Sequence, residues 1–139
     1  MSTMALQLGD RAPDFTLSDS NGDPVSLSAL RGQPVVLYFY PKADTPGCTV
    51  QACGVRDHRA DYDRAGAMVL GVSADPIKRL ARFAGKHTLG FPLLSDEEHT
   101  VAKAYGVWVE KSMYGRTYMG MERTTFVISP AGVITEIFR

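Results

Sequence analysis

Two apolar runs, each followed by a segment with helical spacing, place the strongest constraint on the fold of this chain. The runs are PVVLYFYP (residues 34–41) and MVLGVSADP (residues 68–76), which are rich in β-branched and aromatic side chains. Such uninterrupted runs are typical of strands that are covered on both faces of a sheet. A sheet covered on both faces needs helices packed against it, so the pattern predicts an α/β chain.

Three segments carry apolar residues at helical spacing, one after each of the two runs and a third later in the chain. The buried faces that they predict are Cys48, Ala52, Val55 and Tyr62 in the first, Ile77, Leu80, Ala81 and Ala84 in the second, and Val101, Ala104 and Tyr105 in the third. Ser95 and Glu98 have capping-box spacing before the third helix, and Gly106 is a natural stop after it.

Turn signals complete the predicted order of elements. Asn21-Gly22, between two short apolar pieces, favours an N-terminal β-hairpin. Residues 124–129 and 133–138 read as two strands around Pro130-Ala131-Gly132. Strand and helix therefore alternate before a final hairpin, which predicts a thioredoxin-like fold with a central mixed β-sheet flanked by helices. No repeat or linker interrupts residues 1–139, so we expect a single domain, and no helix follows the last strand.

Charge and hydropathy exclude several classes of protein. Lys+Arg 15 against Asp+Glu 15 gives a formal net charge of +0, which removes the main driving force for binding nucleic acid. The apolar runs are far shorter than the ~20 residues of a spanning helix, so a membrane protein is not expected. The start, MSTMALQLGD, lacks the charged region and apolar core of a secretory signal. The sequence therefore predicts a cytoplasmic location.

The chain has two cysteines, Cys48 and Cys53. In a reducing cytoplasm a close pair is more often metal-binding or catalytic than a structural bridge. A zinc site would have to recruit one of the three histidines, His58, His87 or His99, and none has a recognisable zinc spacing. We therefore expect neither a metal nor a cofactor.

Cys48 follows a predicted central strand and enters the first turn of a helix. Pro41 and Pro46 stiffen the connecting loop, and chemistry in open α/β sheets gathers at the carboxyl ends of the strands. Unpaired N–H groups and the helix dipole at that point stabilise an anion, which favours a nucleophilic thiolate. The alternative is a small buried side chain, since free cysteine is among the most buried residue types.

The spacing of the two cysteines predicts a helix that must unwind before they can bond. On an ideal helix, five residues rotate by about 140° and rise by about 7.5 Å, which separates the two Cα atoms by roughly 8–9 Å. A disulfide needs about 4.4–6.8 Å. Cys48 and Cys53 therefore require local unwinding. Gly54 either eases that unwinding or allows a neighbour to pack closely.

The segment PKADTPGC (residues 41–48) contains Pro-x-x-x-Thr-x-x-Cys, and with it the chain resembles the peroxiredoxins. TPGCTVQAC is similar to the PrxQ (bacterioferritin comigratory protein) branch of that family. The resemblance continues through GDRAPDFTL, VVLYFYPKADTPGCT, GVSADP, YGVW, MYGRTYMGMERTTFVI and the final hairpin, so it covers nearly the whole chain. It implies a thiol peroxidase that reduces hydrogen peroxide and organic hydroperoxides.

The resemblance also implies roles for five residues. Cys48 matches the peroxidatic cysteine, which becomes a sulfenic acid, and Cys53 matches the resolving cysteine. Thr45 matches the hydroxyl residue that holds the cysteine and the peroxide by hydrogen bonds, and Pro41 matches the residue that shields the thiolate from water. Arg123 matches the arginine that stabilises the thiolate and the leaving oxygen. Thioredoxin or a similar dithiol is the implied reductant, and the chain is expected to be a monomer or weak homodimer.

Plainer interpretations of single residues stay open. Thr45 can be a loop hydroxyl bonded to its own backbone, and Arg123 can lie at a surface strand end. Val55 stands where the PrxQ branch often carries a larger apolar residue, which would loosen the helix. Residues 56–59 are expected to form a solvated face with local ion pairs. One stretch is rich in methionine and tyrosine, and we expect it to fill core and to form a collar near the pocket, with a partner surface as the alternative; it comprises Met113, Tyr114, Tyr118, Met119 and Met121.

Two other functions are compatible with the same residues. A general thiol–disulfide oxidoreductase favours Cys-x-x-Cys, whereas four residues separate Cys48 from Cys53. A redox-sensing interaction module would use the same helix switch to change a binding surface. It would retain a specific partner in one redox state only and would turn over peroxide too slowly to matter.

Overall fold

The computed structural model describes residues 6–139, so the first five residues of the predicted non-secretory start lie outside the described part. The strands are β1 (Thr16–Asp19), β2 (Pro24–Ser26), β3 (Val35–Phe39), β4 (Met68–Ser73), β5 (Leu93–Ser95), β6 (Trp108–Met113), β7 (Arg116–Met121), β8 (Thr124–Ile128) and β9 (Ile134–Phe138). The helices are α1 (Pro46–Asp57), α2 (Arg59–Arg64), α3 (Ile77–His87) and α4 (Thr100–Ala104), with a 3₁₀ helix at Leu27–Leu30.

A seven-stranded mixed sheet forms the centre of the molecule, in the order β2-β1-β5-β4-β3-β8-β9. β3, β4 and β5 are parallel neighbours, whereas β8 is antiparallel to β3, and β9 is antiparallel to β8. β1 joins β5 in the antiparallel sense and forms the predicted N-terminal hairpin with β2. The two apolar runs therefore become adjacent inner strands, as their composition predicts.

The side chains of β3 divide the core into two layers because successive residues point to opposite faces. Leu37 and Phe39 belong to the cluster that contains Tyr105, at the end of α4. Tyr38 and the following Tyr40 belong to the cluster that contains residues of α1 and α3. Helices therefore cover both faces of the sheet, and α1 and α3 lie on the same face.

The first two predicted helical faces are partly wrong. The first helix ends at Asp57, and His58 adopts φ −99° and ψ 13°, so Tyr62 lies in the separate helix α2. In α3, Ala81 is exposed and Phe83 is buried beside Leu80. Ala81 lies about 100° around the helix from Leu80, which turns it away from the sheet.

The third helix begins later than the capping-box spacing predicts. Ser95 is held in β5, where it pairs with Ser73, and α4 starts only at Thr100. The Asp96 carboxylate instead accepts hydrogen bonds from the Val101 and Ala102 amides, at 3.3 and 2.8 Å. The N-cap of α4 is His99, whose side chain makes no capping bond, so the capping role predicted for Ser95 falls to Asp96, three residues before the helix boundary. Ala104 is exposed, and the neighbouring Ala102 is buried in its place.

Replacing Asp96 with alanine is expected to destabilise the fold by about 1–2 kcal/mol, since two buried amides in the first turn of α4 lose their acceptor. Asp96 is 2% exposed, so water replaces the carboxylate poorly. The free energy of unfolding from urea titration measures the effect. Asp23→Ala, at an exposed turn position, is the control and should change stability by less than about 0.5 kcal/mol. Equal stability of Asp96→Ala and the wild type would remove Asp96 as a cap.

The methionine- and tyrosine-rich stretch forms a hairpin that the sequence analysis did not predict. β6 and β7 pair in a separate two-stranded sheet, with Trp108 opposite Met121. Met121 is 2% exposed and belongs to the core. The other four residues are exposed, so the prediction that they fill core is wrong, whereas a collar near the pocket stays a prediction; they are Met113, Tyr114, Tyr118 and Met119. A two-stranded ribbon has one face without a covering layer, and these side chains point into solvent.

Within residues 6–139, none of the helices has both the length and the apolar composition that crossing a bilayer requires. In the same residues, His, Cys, Asp and Glu side chains nowhere come together in threes as a group that could hold a metal ion. The predicted solvated face after Cys53 is confirmed for residues 57–59, which are exposed, and the local ion pairs are Arg56 with Asp57 at 3.0 Å and Arg59 with Asp63 at 3.8 Å.

Candidate active site

Cys48 lies where the central strand β3 passes through a short loop into α1. Thr45 is the residue before the helix, with extended φ −95° and ψ 156°, and Pro46 occupies the first helical turn. Proline suits that position because its missing N–H would have no partner there. Cys48 is 2% exposed, and its sulfur lies within the first turn, where the helix dipole favours negative charge.

Arg123 reaches this sulfur from a different strand. The residue precedes β8, and its neighbour Thr124 pairs with Phe39 at the end of β3. That register brings the guanidinium beside α1, where Nη2 donates a hydrogen bond to Cys48 Sγ at 3.0 Å. A cationic donor at this distance stabilises a thiolate by charge as well as by hydrogen bonding. The predicted proximity of Arg123 and Cys48 is therefore present in the structure.

Two neighbours that the sequence analysis missed hold the guanidinium in place. Arg123 Nη1 donates a hydrogen bond to Gln51 Oε1, one turn after Cys48 on α1. A β-carbon on Gly47 would lie 3.3 Å from Arg123 Nη2, so the absence of a side chain leaves room for the arginine. Gln51 was detectable from its i+3 spacing to Cys48, which places both residues on one side of a helix.

Thr45 and Pro41 lie in the loop on the approach to Cys48. Thr45 is half-buried, and its hydroxyl donates a hydrogen bond to the Lys42 carbonyl at 2.8 Å. This is the backbone contact that the sequence analysis named as the alternative to a bond with the cysteine. Pro41 is exposed at the start of the loop, and Ala43 is fully buried.

Both cysteines are free thiols in an intact helix. α1 runs without a break from Pro46 to Asp57, with Cys48 buried and Cys53 half-buried. An intact helix keeps the two sulfurs too far apart to bond, so the geometry requires unwinding, as predicted. A β-carbon on Gly54 would meet nothing within 4 Å. The close-packing interpretation of Gly54 is therefore wrong.

Two buried phenols lie beneath α1 and were not singled out from the sequence. Tyr38 and Tyr40 have ring centroids 5.4 Å apart and share the core cluster of Cys48 and Ala52. Burial raises the pKa of both tyrosines well above the ordinary value for a phenol. Both phenols therefore remain neutral at physiological pH and place no negative charge near the Cys48 sulfur. The charged group that contacts this sulfur is Arg123.

The loop before Cys48 also has a charged contact with α3. Asp44 adopts a left-handed backbone with φ 62°, and its carboxylate lies 3.2 Å from Lys86 Nζ. The hydrogen bond from Lys86 lowers the pKa of the Asp44 carboxyl below its ordinary value. The carboxylate stays ionised at neutral pH, which preserves the ion pair across the loop.

Comparison with known proteins agrees with this architecture. The AhpC/TSA family pattern matches residues 8–137. Peroxiredoxin Bcp of Escherichia coli strain K12 is 52% identical over 133 residues, which cover 96% of this chain and 85% of that protein. A cysteine variant of Xylella fastidiosa PrxQ superposes with a TM-score of 0.92 at 35% identity, over 99% of this chain and 87% of that one.

A second solved structure concerns the alkyl peroxide reduction activity of Xanthomonas campestris bacterioferritin comigratory protein. It superposes with a TM-score of 0.86 at 40% identity and covers 90% of this chain and 80% of that one. The fold and the thiol at a helix start define a thioredoxin-like, thiol-dependent peroxidase. The chain belongs to the AhpC/TSA family and is a peroxiredoxin similar to the Bcp/PrxQ proteins.

Proposed function

We propose that Cys48 is the peroxidatic cysteine and that Arg123 stabilises the transition state of its attack. The thiolate sulfur attacks one oxygen of the peroxide, an S–O bond forms, and the O–O bond breaks. The other oxygen leaves with a proton as water or an alcohol, and Cys48 becomes a sulfenic acid. The hydrogen bond of 3.0 Å from Arg123 Nη2 to Cys48 Sγ is the observation that carries this proposal.

Thr45 and Pro41 would complete the pocket. The Thr45 hydroxyl already donates a hydrogen bond to the Lys42 carbonyl, so its oxygen is left as an acceptor. A peroxide O–H can donate to that oxygen, which would orient the substrate towards the sulfur. Pro41, at the start of the same loop, would keep water from the thiolate once substrate is bound.

Cys53 would act in the second step. Its thiolate attacks the sulfur of the Cys48 sulfenic acid, a disulfide forms, and the hydroxyl leaves as water after taking up a proton. α1 must unwind around Cys48 for the sulfurs to meet. Gly54 lowers the helical stability of the adjoining turn by about 1 kcal/mol relative to alanine, and the open space beside it supports this role.

A dithiol protein of the thioredoxin type would return the disulfide to two thiols by exchange. We propose hydrogen peroxide and organic hydroperoxides as substrates, with alkyl hydroperoxides supported by the activity named for the Xanthomonas protein. The cytoplasmic location, the single domain over residues 1–139 and the monomer or weak homodimer stay predictions from the sequence. The chemistry as proposed uses only groups of this chain and the dithiol, without a cofactor.

Replacing Cys53 with serine is expected to preserve the first attack and to prevent the disulfide. Intact mass after one equivalent of hydrogen peroxide should then show one added oxygen, whereas the wild type loses two hydrogens. Excess peroxide should drive the variant on to sulfinic acid, since no thiol intercepts the sulfenic acid. If the wild type formed no disulfide, or if Cys53→Ser resisted further oxidation, Cys53 would not be the resolving cysteine.

The same experiment tests the proposed function as a whole. Reduced wild-type protein that keeps its mass for minutes in peroxide would mean that Cys48 is not an activated thiol. The redox-sensing module would then be the better hypothesis.

A further inference from the structure

Asp75 is a buried carboxylate next to the active-site loop, and the peroxidase reaction outlined above gives it no role. It follows β4 and is 8% exposed. Its Oδ2 accepts a hydrogen bond from the Ala43 amide at 2.7 Å and another from the Ser73 hydroxyl at 2.8 Å. A buried carboxylate is retained only where its partners compensate for the lost water, and one of these partners is the backbone of the loop.

Both polar backbone groups of Ala43 are held by side chains that follow β4, one from the turn before α3 and one from the first turn of α3. Its amide donates to Asp75, and its carbonyl accepts from Arg79 Nη2 at 3.4 Å. Arg79 also forms an ion pair with Asp75, with Nε 3.4 Å from Oδ1. Ala43 is fully buried. One carboxylate and one guanidinium therefore clamp a single residue of the loop, through the peptide groups on either side of it.

The clamp determines how the chain enters α1. Asp44, with its left-handed φ of 62°, comes directly after the clamped residue and contacts Lys86 at the far end of α3. A left-handed backbone at a residue other than glycine persists only when its surroundings determine it. Thr45 then leads into α1, so the position of Cys48 follows from the position of Ala43.

The backbone of Arg123 is positioned by the pairing of β8 with β3, and its guanidinium is also held by Gln51 on α1. The Cys48–Arg123 hydrogen bond therefore depends on two placements, that of the Arg123 backbone by the sheet and that of the start of α1 by the loop. A shift of about 1 Å between reacting groups can cost about 100-fold in rate. Loosening the loop should therefore reduce the benefit that Arg123 provides.

We propose that Asp75 is a positioning residue of the peroxidase reaction, because its carboxylate fixes the loop that delivers Cys48 to Arg123. The inference rests on the proposed roles of Cys48 and Arg123 in the attack on peroxide. It adds a residue that touches neither sulfur nor substrate and that acts through the backbone of Ala43.

The rate of sulfenic acid formation, followed by rapid quenching and intact mass, tests this role. Asp75→Ala removes the acceptor of the Ala43 amide and should slow the first step by about 10-fold or more. Asp75→Asn keeps a carbonyl oxygen for that amide and should recover most of the rate. Asp96→Ala is the matched control, since Asp96 is also buried and also accepts backbone amides. It should remain within about twofold of the wild-type rate while lowering stability.

A double variant separates positioning from general damage. In an Arg123→Ala background, Asp75→Ala should slow the first step by less than about twofold, because the contact that the loop aligns is already gone. Equal slowing by Asp75→Ala with and without Arg123 would overturn the proposal. So would a folded Asp75→Ala with the wild-type rate, or an equal loss of rate in Asp96→Ala.

If Asp75→Ala does not fold, Arg79→Gln tests the proposal in its place. Arg79 is partly exposed, and its replacement weakens the clamp while leaving the carboxylate in place. Slowing by about threefold or more is expected, and the wild-type rate would overturn the proposal. Failure of the proposed function gives a different result, because wild-type Cys48 would then not be oxidised at all.

Discussion

Replacing Cys48 with serine is expected to abolish peroxide reduction, with no turnover above the uncatalysed background. A thiolate is a strong nucleophile towards peroxide oxygen, and its sulfur accepts the oxygen as a sulfenic acid. A serine hydroxyl is not ionised at neutral pH and has no corresponding oxidised form. Peroxide consumption in the presence of excess dithiol measures the loss.

The substitution should leave the fold intact, which makes the loss interpretable. Serine differs from cysteine by one atom, and the Cys48 side chain is held within the first turn of α1. Circular dichroism and the midpoint of urea unfolding check this. Cys53→Ser is the matched control, since it removes the other thiol and should keep one rapid oxidation per chain.

The result also separates the peroxidase from the competing thiol chemistry. If Cys48→Ser still consumed peroxide at the wild-type rate, another group would be the first to react, and Cys53 would be the first candidate. A general thiol–disulfide oxidoreductase would instead reduce a model disulfide about as fast as it reduces peroxide. The proposed chemistry expects peroxide to be the better substrate.

The central strands and the entry into α1 could be predicted because their signals are local. Uninterrupted runs of β-formers correspond to β3 and β4. Such runs are apolar on both faces, so they suit an inner strand of a covered sheet better than an edge strand or a loop. The position of Cys48 in a first helical turn followed from the flanking prolines and the apolar spacing. Arg123 came only from the family resemblance, because nothing in its own neighbourhood distinguishes it from a surface arginine.

The elements that were mispredicted depend on contacts between distant residues. Ser95 and Glu98 satisfy the capping-box spacing, yet Ser95 is also opposite Ser18 and Ser73 in the sheet. Sheet pairing therefore decides where α4 begins. The contact between Asp75 and Ala43 spans 32 positions of the chain, so no local pattern contains it.

The exposed β6–β7 hairpin illustrates the opposite difficulty. Its methionines and tyrosines were predicted to fill the core because apolar side chains are usually buried. Burial needs a second layer, however, and Met121 alone among these residues lies in the main core cluster. Composition shows which side chains are apolar enough to be buried. Whether they are buried depends on the fold, which must place a second layer over them.

Replacing Arg123 with alanine is expected to slow the first oxidation by about 100-fold or more. The guanidinium contacts Cys48 Sγ at 3.0 Å from a half-buried position. It can stabilise both the thiolate and the negative charge that develops on the leaving oxygen. Removing a single hydrogen-bond donor of this kind typically lowers the rate of the chemical step by about 100- to 1,000-fold. The rate constant for sulfenic acid formation, measured at several peroxide concentrations, gives the effect.

Charge and geometry contribute separately to this effect, and Arg123→Lys distinguishes them. Lysine keeps the positive charge but lacks the planar guanidinium, which donates to Cys48 Sγ and to Gln51 Oε1 at the same time. We therefore expect Arg123→Lys to fall between the wild type and Arg123→Ala. Arg116→Ala, at an exposed arginine of the β6–β7 hairpin, controls for the loss of one positive charge and should leave the rate within about twofold. If Arg123→Ala oxidised as fast as Arg116→Ala, the contact with Cys48 would be structural, and the stabilisation of the leaving oxygen would have to come from the α1 amides and Thr45.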